Sequence, residues 1–337
     1  MSLVPLCGGS TCDVYTGQLE WKGRRMKIGL KQLRVFLNWS VNDRETAMKS
    51  FHREMKIWSR FNHPNILPFY GFVLIETSRF FLVSPWCDNG NSMEFLGRNP
   101  HFGRHKLISQ VADALDYLHS GRSGKSYIHG DLKGDNVLIS DDGRALLCDF
   151  GLARHGDQLT TTMTMTPSHQ SALGHVRFSA PELFRNERPT TESDCFAFGC
   201  LVIHMYTGYP PYDHLTTDSQ VVGAVLAGEK PLRPTSPSVV AAGLDDELWQ
   251  LVDKCLEHEV STRPNMNEIF FRLKQHPHYQ PFSIAFYEPL EESSCTSPLS
   301  DTAESTSEPS KASVLKRRGS SPMSPSERKR SKQREQS

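Results

Sequence analysis

Apolar residues along this chain change their spacing part-way. Near the start they come in short runs: Val14-Tyr15 and residues 28–33 read as strands, as do 66–73 and 80–84. Between these runs Phe51, Met55 and Trp58 recur at steps of four and three, which predicts a helix over residues 45–61. His63-Pro64-Asn65 closes it, because proline crowds the preceding residue out of the helical region. After Ser84 helical spacing takes over, and Leu107, Val111, Leu115 and Leu118 line one face. Two short strands, 137–139 and 145–148, flank Asp141-Asp142-Gly143, a hairpin-turn sequence, and helical patterns run from Asp194 to about Lys274. The fold class predicted is α+β: a small β-rich lobe with one helix, then a larger, mainly helical lobe.

From about Tyr279 the pattern stops. Serine, threonine, proline and charge dominate, and disorder is expected to the last residue. This stretch holds hydrophobic content to 37% of 337 residues, a length sufficient for two lobes and a tail. No run of eighteen apolar residues occurs, so no membrane-spanning helix is expected. Residues 1–7 lack the basic flank and apolar run of a signal peptide. Eight cysteines (7, 12, 87, 148, 195, 200, 255 and 295) form no C-x-x-C pair, a pattern of buried thiols in a reducing compartment. A cytoplasmic location follows as the expectation.

Formal charge is zero but unevenly spread. Residues 288–308 hold six acids and no Lys or Arg, whereas 311–337 hold nine bases against Glu327 and Glu335. Lys316-Arg317-Arg318 and Arg328-Lys329-Arg330-Ser331-Lys332 fit either a bipartite nuclear address read by importin or a solvated tail. No aromatics interleave these bases, so no nucleic-acid partner is expected. Ser320, Ser321 and Ser324 are candidate phosphorylation sites, each adding about −2 charge there.

The densest chemistry lies in Tyr127-Ile128-His129-Gly130-Asp131-Leu132-Lys133-Gly134-Asp135-Asn136, with Asp149-Phe150-Gly151 thirteen residues beyond Asn136. Two carboxylates and an amide fall in two tight turns joined by short apolar strands. That set suits Mg²⁺ on a nucleotide, because few protein oxygens leave positions for phosphate and water. The spacing H-x-D-x-x-x-x-N followed by D-F-G resembles the catalytic half of the protein-kinase signature. From about residue 5 to 275 the chain resembles the eukaryotic protein kinases, most of all the tyrosine-kinase-like group of Ser/Thr kinases.

That resemblance implies a kinase N-lobe over 1–84, a C-lobe over 85–275 and a tail over 276–337. It implies ATP and Mg²⁺ as cofactors, and protein substrates phosphorylated on Ser/Thr in signalling. Asp131 would accept the hydrogen bond of the substrate hydroxyl, Lys133 would reach the γ-phosphate, and Asn136 and Asp149 would hold the metal. Lys31, closing Ile28-Gly29-Leu30-Lys31, would face the α- and β-phosphates and pair with Glu54; Lys27 and Glu45 are the rivals. Val14 sets the register of a Gly-rich loop whose glycine positions read Cys7, Gly9 and Cys12, so only Gly9 survives. Ser84 would guard a back pocket, and the Cys87 backbone would meet adenine, since Pro85 has no N–H to donate. Glu182 of Ala180-Pro181-Glu182 would pair with Arg263, Asp194 would anchor the catalytic loop, and His129 would pack beneath Phe150.

Two departures matter. Gly174 is followed by His175, where a Ser/Thr kinase of this group usually has threonine. Gly130 stands where most of the family has the arginine that grips an activation-segment phosphate. Thr160, Thr161, Thr162, Thr164 and Thr166 lose that receptor, so activity is expected not to depend on loop phosphorylation by this route. The eroded loop and Gly130 keep a pseudokinase open as the alternative, along with dual-specificity or tyrosine transfer. Small-molecule phosphotransfer is disfavoured by the A-P-E segment.

Overall fold

Short alternating runs in the first third build a five-stranded antiparallel sheet in the computed structural model, which describes residues 5, 7–8, 12–33, 41–75, 79–122, 124–155 and 176–281. Gly9, the five threonines, Gly174, His175 and the tail beyond residue 281, with its basic clusters and serines, lie outside the described residues.

The strands are β1 (Cys7–Gly8), β2 (Cys12–Trp21), β3 (Arg24–Leu33), β4 (Gly71–Ile75) and β5 (Arg79–Pro85), ordered β1-β2-β3-β5-β4. Lys22 and Gly23, with φ of 48° and 75°, make the two-residue turn between β2 and β3. Register then sorts the faces, because directly opposed residues share one side of a sheet. Tyr15, Ile28, Leu30, Phe81 and Val83 form a small core on one side. On the other side, Val14 lies opposite Lys31, Lys31 opposite Leu82, and Gly29 opposite Ser84.

Helix α1 (Val41–Trp58) buries Phe51, Ile57 and Trp58 in the main core. It starts and stops earlier than the apolar spacing predicts. Phe61 is buried one turn beyond, after two i→i+3 bonds have tightened the chain. The strand predicted at 66–73 forms only from Gly71. Pro68 has no N–H for a ladder, and Leu67 instead donates to Leu147 of the C-lobe.

The C-lobe helices are α2 (Ser92–Arg98), α3 (Arg104–His119), α4 (Pro181–Phe184), α5 (Thr191–Thr207), α6 (Asp218–Ala227), α7 (Pro237–Ala241), α8 (Asp246–Cys255) and α9 (Met266–Gln275). Leu107, Val111, Leu115 and Leu118 are all buried, as their spacing requires. α5 is apolar nearly all round and runs through the centre of the lobe. Its Gly199 lets α8 close in: a Cβ there would meet the Cys255 Cβ at 3.0 Å. Four short strands complete the lobe: β6 (Tyr127–Ile128) pairs with β9 (Arg154–His155), and β7 (Val137–Ile139) with β8 (Ala145–Leu147). Packing runs past residue 275, since His276 is buried, stacked on His105 at 4.6 Å and bonded to Asp245 at 3.1 Å. Among the described residues no helix is long and apolar enough to cross a membrane.

Candidate active site

Lys31 joins the two lobes. From mid-β3 its Nζ donates to Glu54 Oε1 of α1 and to Asp149 Oδ1 of the C-lobe, both at 2.7 Å. Burial alone would lower the pKa of this ammonium, but the Asp149 and Glu54 carboxylates raise it well above the usual value. Burial pushes Glu54 up despite Lys31, whereas for Asp149 the pull of Lys31 outweighs burial and holds the carboxyl down. Position explains the contrast: the Glu54 side chain is 10% exposed under α1, and that of Asp149 38% exposed at the cleft. Asp149 is thus the anion kept ready for a cation. Its φ of 65° is a left-handed conformation, of the strained kind that clusters at functional sites. The rivals fall away, since Glu45 pairs with Lys49 on the surface and Lys27 with Asp88.

The turn over residues 129–136 is cross-braced. Lys133 Nζ donates to Asp131 Oδ2 at 2.9 Å, and Asn136 Nδ2 donates to Asp131 Oδ2 at 2.8 Å and to its carbonyl at 2.7 Å. With Nδ2 so engaged, Asn136 has its Oδ1 left to offer a cation. Asn136 and Asp149 therefore fit Mg²⁺ by donor chemistry: both are hard oxygens. Among the described residues no group of three or more His, Cys, Asp or Glu is placed to hold a metal by itself, as expected when phosphate and water complete the sphere.

Asp194, buried at the start of α5, holds this turn from below. Its Oδ2 accepts from His129 N (2.7 Å) and His119 Nε2 (2.9 Å), and its Oδ1 from Gly130 N (2.9 Å). Burial works against the charge, but the bond from His119 and the backbone donors keep the carboxyl below its usual range. His129 is a packing residue: its Nε2 meets the Cys148 carbonyl at 3.0 Å and its ring packs edge-on to Phe150. Phe150 is buried against Trp58 and Phe61, which seats α1 over Asp149.

At the hinge, Pro85 has no N–H and Trp86 N donates to the Lys27 carbonyl. Cys87 N–H is the next donor, and no bond to a described residue engages it, so it suits an adenine edge. The buried Cys87 thiol is pushed up to about 12, chiefly by burial, and stays neutral. Ser84 Oγ turns to the Pro85 carbonyl at 3.3 Å, on the sheet face shared with Gly29, Lys31 and Val14. Glu182 and Arg263 make a two-pronged pair at 2.7 and 2.8 Å, almost fully buried.

Lys31, Glu54 and Asp149 thus meet at one point, and Asp131, Lys133 and Asn136 form one braced turn. The model of the protein tyrosine and serine/threonine kinase family matches residues 3–273. The chain belongs to this family. A probable serine/threonine-protein kinase of Dictyostelium discoideum is 26% identical over 274 residues, covering 80% of this chain and 15% of that protein. The probable serine/threonine-protein kinase SIS8 of Arabidopsis thaliana is 28% identical, covering 79% and 24%. Human mitogen-activated protein kinase kinase kinase 1 is 29% identical, covering 76% and 16%. The chain therefore spans about a quarter or less of the length of these relatives.

One contributor to the kinase site escapes a reading of the sequence. His119 ends α3, and its partner Asp194 lies 75 residues on. A lone histidine at a helix end carries no signal of that contact.

Proposed function

We propose that this chain transfers the γ-phosphate of ATP to serine and threonine hydroxyls of protein substrates, using Mg²⁺, in intracellular signalling. The observation that carries the reading is the Lys31 ammonium, set between Glu54 and Asp149 at 2.7 Å each. Glu54 fixes the charge in place, so its field acts on phosphate without reorganising. Cys87 N–H takes the adenine edge, and the face carrying Val14 roofs the nucleotide. Asp131 orients the attacking hydroxyl and takes its proton late, while Lys133 neutralises charge on the moving phosphoryl group. Mg²⁺, held by Asn136 and Asp149, would draw charge from the phosphate oxygens. Lys133, in Asp131-Leu132-Lys133, favours Ser/Thr over Tyr.

A radiolabelled-ATP assay on a generic protein substrate tests this. Wild type should incorporate label about 10²–10³ times faster than Asp149→Asn, and phosphoamino-acid analysis should return phosphoserine and phosphothreonine. Equal incorporation by both proteins, or label confined to phosphotyrosine, would overturn it. The same reading puts the chain in the cytoplasm, with the tail's basic clusters as an importin-dependent route to the nucleus. Imaging a fusion with and without residues 311–337 checks that.

A further inference from the structure

The hairpin joining β2 and β3 outruns the rest of the sheet. Every residue of β2 pairs with β3, from Cys12 opposite Leu33 to Trp21 opposite Arg24. β5 covers β3 only from Ile28 to Gln32, and β1 covers β2 only at Asp13 and Val14. The last pairs, Leu19 with Met26, Glu20 with Arg25 and Trp21 with Arg24, therefore have no third strand beside them among the described residues. They form a free ribbon about 10 Å long, at about 3.4 Å per pair. At its apex a Cβ on Gly23 would have nothing within 4 Å. Charge collects here: residues 18–27 hold Lys22, Arg24, Arg25 and Lys27 against Glu20 alone, in a chain with 38 bases and 38 acids. Lys27 pairs with Asp88. Lys22 and Arg24 are exposed and make no ion pair with a described residue. Arg25 reaches Glu20 only at 3.8 Å, with the two side chains 80% and 68% exposed, a contact worth little in water.

Lys22 adds a second observation. Its φ of 48° is left-handed, at the turn position where Asn, Asp or Gly fits without strain. The apex thus carries a cation at a conformational cost, and such costs cluster at functional positions. We propose that this hairpin tip docks the protein on a membrane surface rich in anionic phospholipid. The placement of the charges selects that partner. Opposed and alternate residues share a face, so Arg24 lies on the side of Met26 and Leu19, Arg25 on the other side, and Lys22 at the apex. A peptide strand laid along the ribbon would meet one side or one edge. A headgroup layer entered apex-first meets all three cations together, because its phosphates surround whatever enters it. Each base near such a surface strengthens binding about 5-fold, or about 100-fold for three. Arg24 and Lys31 stand seven residues apart on β3, about 23 Å, so lipid meets the end of the sheet remote from Lys31. Docking therefore sets where the protein works and leaves the proposed kinase site open.

The inference goes beyond the proposed kinase activity, and its main readout does not use phosphate transfer. The full chain is sedimented with phosphatidylcholine vesicles prepared with and without phosphatidylserine. The variant Lys22→Asn, Arg24→Gln, Arg25→Gln should bind the anionic vesicles about 100-fold more weakly than wild type, and each single substitution about 5-fold more weakly. Arg24→Lys with Arg25→Lys should bind as wild type does, because charge is read rather than the guanidinium fork. The bases of residues 311–337 are the same in every protein, so the ratios isolate the hairpin. Asn fits the turn at 22, so the triple variant should melt no lower than wild type, and it should keep wild-type turnover on a soluble substrate. Hydrogen exchange at residues 18–27 should slow when wild type binds the anionic vesicles. The proposal fails if the triple variant binds them as tightly as wild type, or if exchange at 18–27 does not change. It fails also if duplex DNA or polyglutamate binds wild type more tightly than the vesicles do and loses that binding in the triple variant, since the hairpin would then serve another polyanion. Vesicle binding as expected without any transfer activity would instead refute the kinase reading and leave the membrane surface standing.

Discussion

Asp194→Asn removes one charge and almost no volume, so its effect isolates what the carboxylate does beneath the catalytic turn. The wild-type group is 1% exposed and accepts three hydrogen bonds, two on Oδ2 and one on Oδ1. An amide has one oxygen. In its better orientation it keeps His129 N and His119 Nε2 and turns its NH₂ toward the Gly130 N–H. One bond to a charged acceptor, worth about 1.5–3 kcal/mol, is then lost, and two fall to the neutral value of about 0.5–1.5 kcal/mol. The expected cost is about 4 kcal/mol, within the range for breaking a buried charged contact. In a domain of this size that lowers the Tm by about 8–16 °C. Gly130 adjoins Asp131, so the carboxylate proposed to orient the substrate hydroxyl also shifts, and a displacement near 1 Å can cost about 10²-fold in turnover. Because the folded-state pKa of Asp194 is depressed, its contribution is present above the ordinary carboxylate range and lost as pH falls through the folded value. The gap in Tm should therefore hold from neutral pH to about pH 4. Calorimetry and labelled-ATP turnover on the same preparations check both effects. A variant melting within about 2 °C of wild type with unchanged turnover would refute the claim that this carboxylate holds the loop.

Other outcomes follow from the same geometry. Lys31→Ala and Asp149→Asn should each cut turnover by about 10²–10³-fold, at least as much as Asp131→Asn, because fixed charge contributes more here than proton removal; single-turnover kinetics ranks the three. Arg263→Met strands the buried Glu182 carboxylate and should cost about 3–5 kcal/mol, whereas adding Glu182→Leu should recover much of it, as a double-mutant denaturation cycle would show. Acidification should destabilise the fold on balance. Burial holds His63 and His105 down at about 4, so their stabilisation is lost as pH falls below about 6.5, while Asp113, pushed up to about 6 by burial, gains in the same interval. Two losses against one gain leave a net fall of about 3 kcal/mol between pH 7 and pH 4, measurable by urea titration across that range.

Much of the lobe architecture was legible because it is local. The three leucines and one valine of α3 state their helix by spacing, and Asp141-Asp142-Gly143 states its hairpin by turn chemistry. Boundaries were less legible where a neighbour competed for the backbone. Leu67 spends its N–H on the C-lobe, so the strand read at 66–73 begins at Gly71. Among site residues, Asp131, Asn136 and Asp149 announced themselves because their separation along the chain is part of the chemistry. Glu54 was also legible, since it lies among Phe51, Met55 and Trp58 on the apolar side of α1, and Glu45, nine residues earlier, falls on the opposite face and pairs with Lys49.

The sequence alone determined which chemical groups are available and which of them lie within one turn or one hairpin of each other, since backbone sterics and side-chain period act over a few residues. Tertiary structure decided everything that required distant segments to meet: Lys31 with a carboxylate 118 positions on, and His119 with Asp194. Such contacts are set by burial of the apolar faces that carry them, and burial is a property of the packed whole.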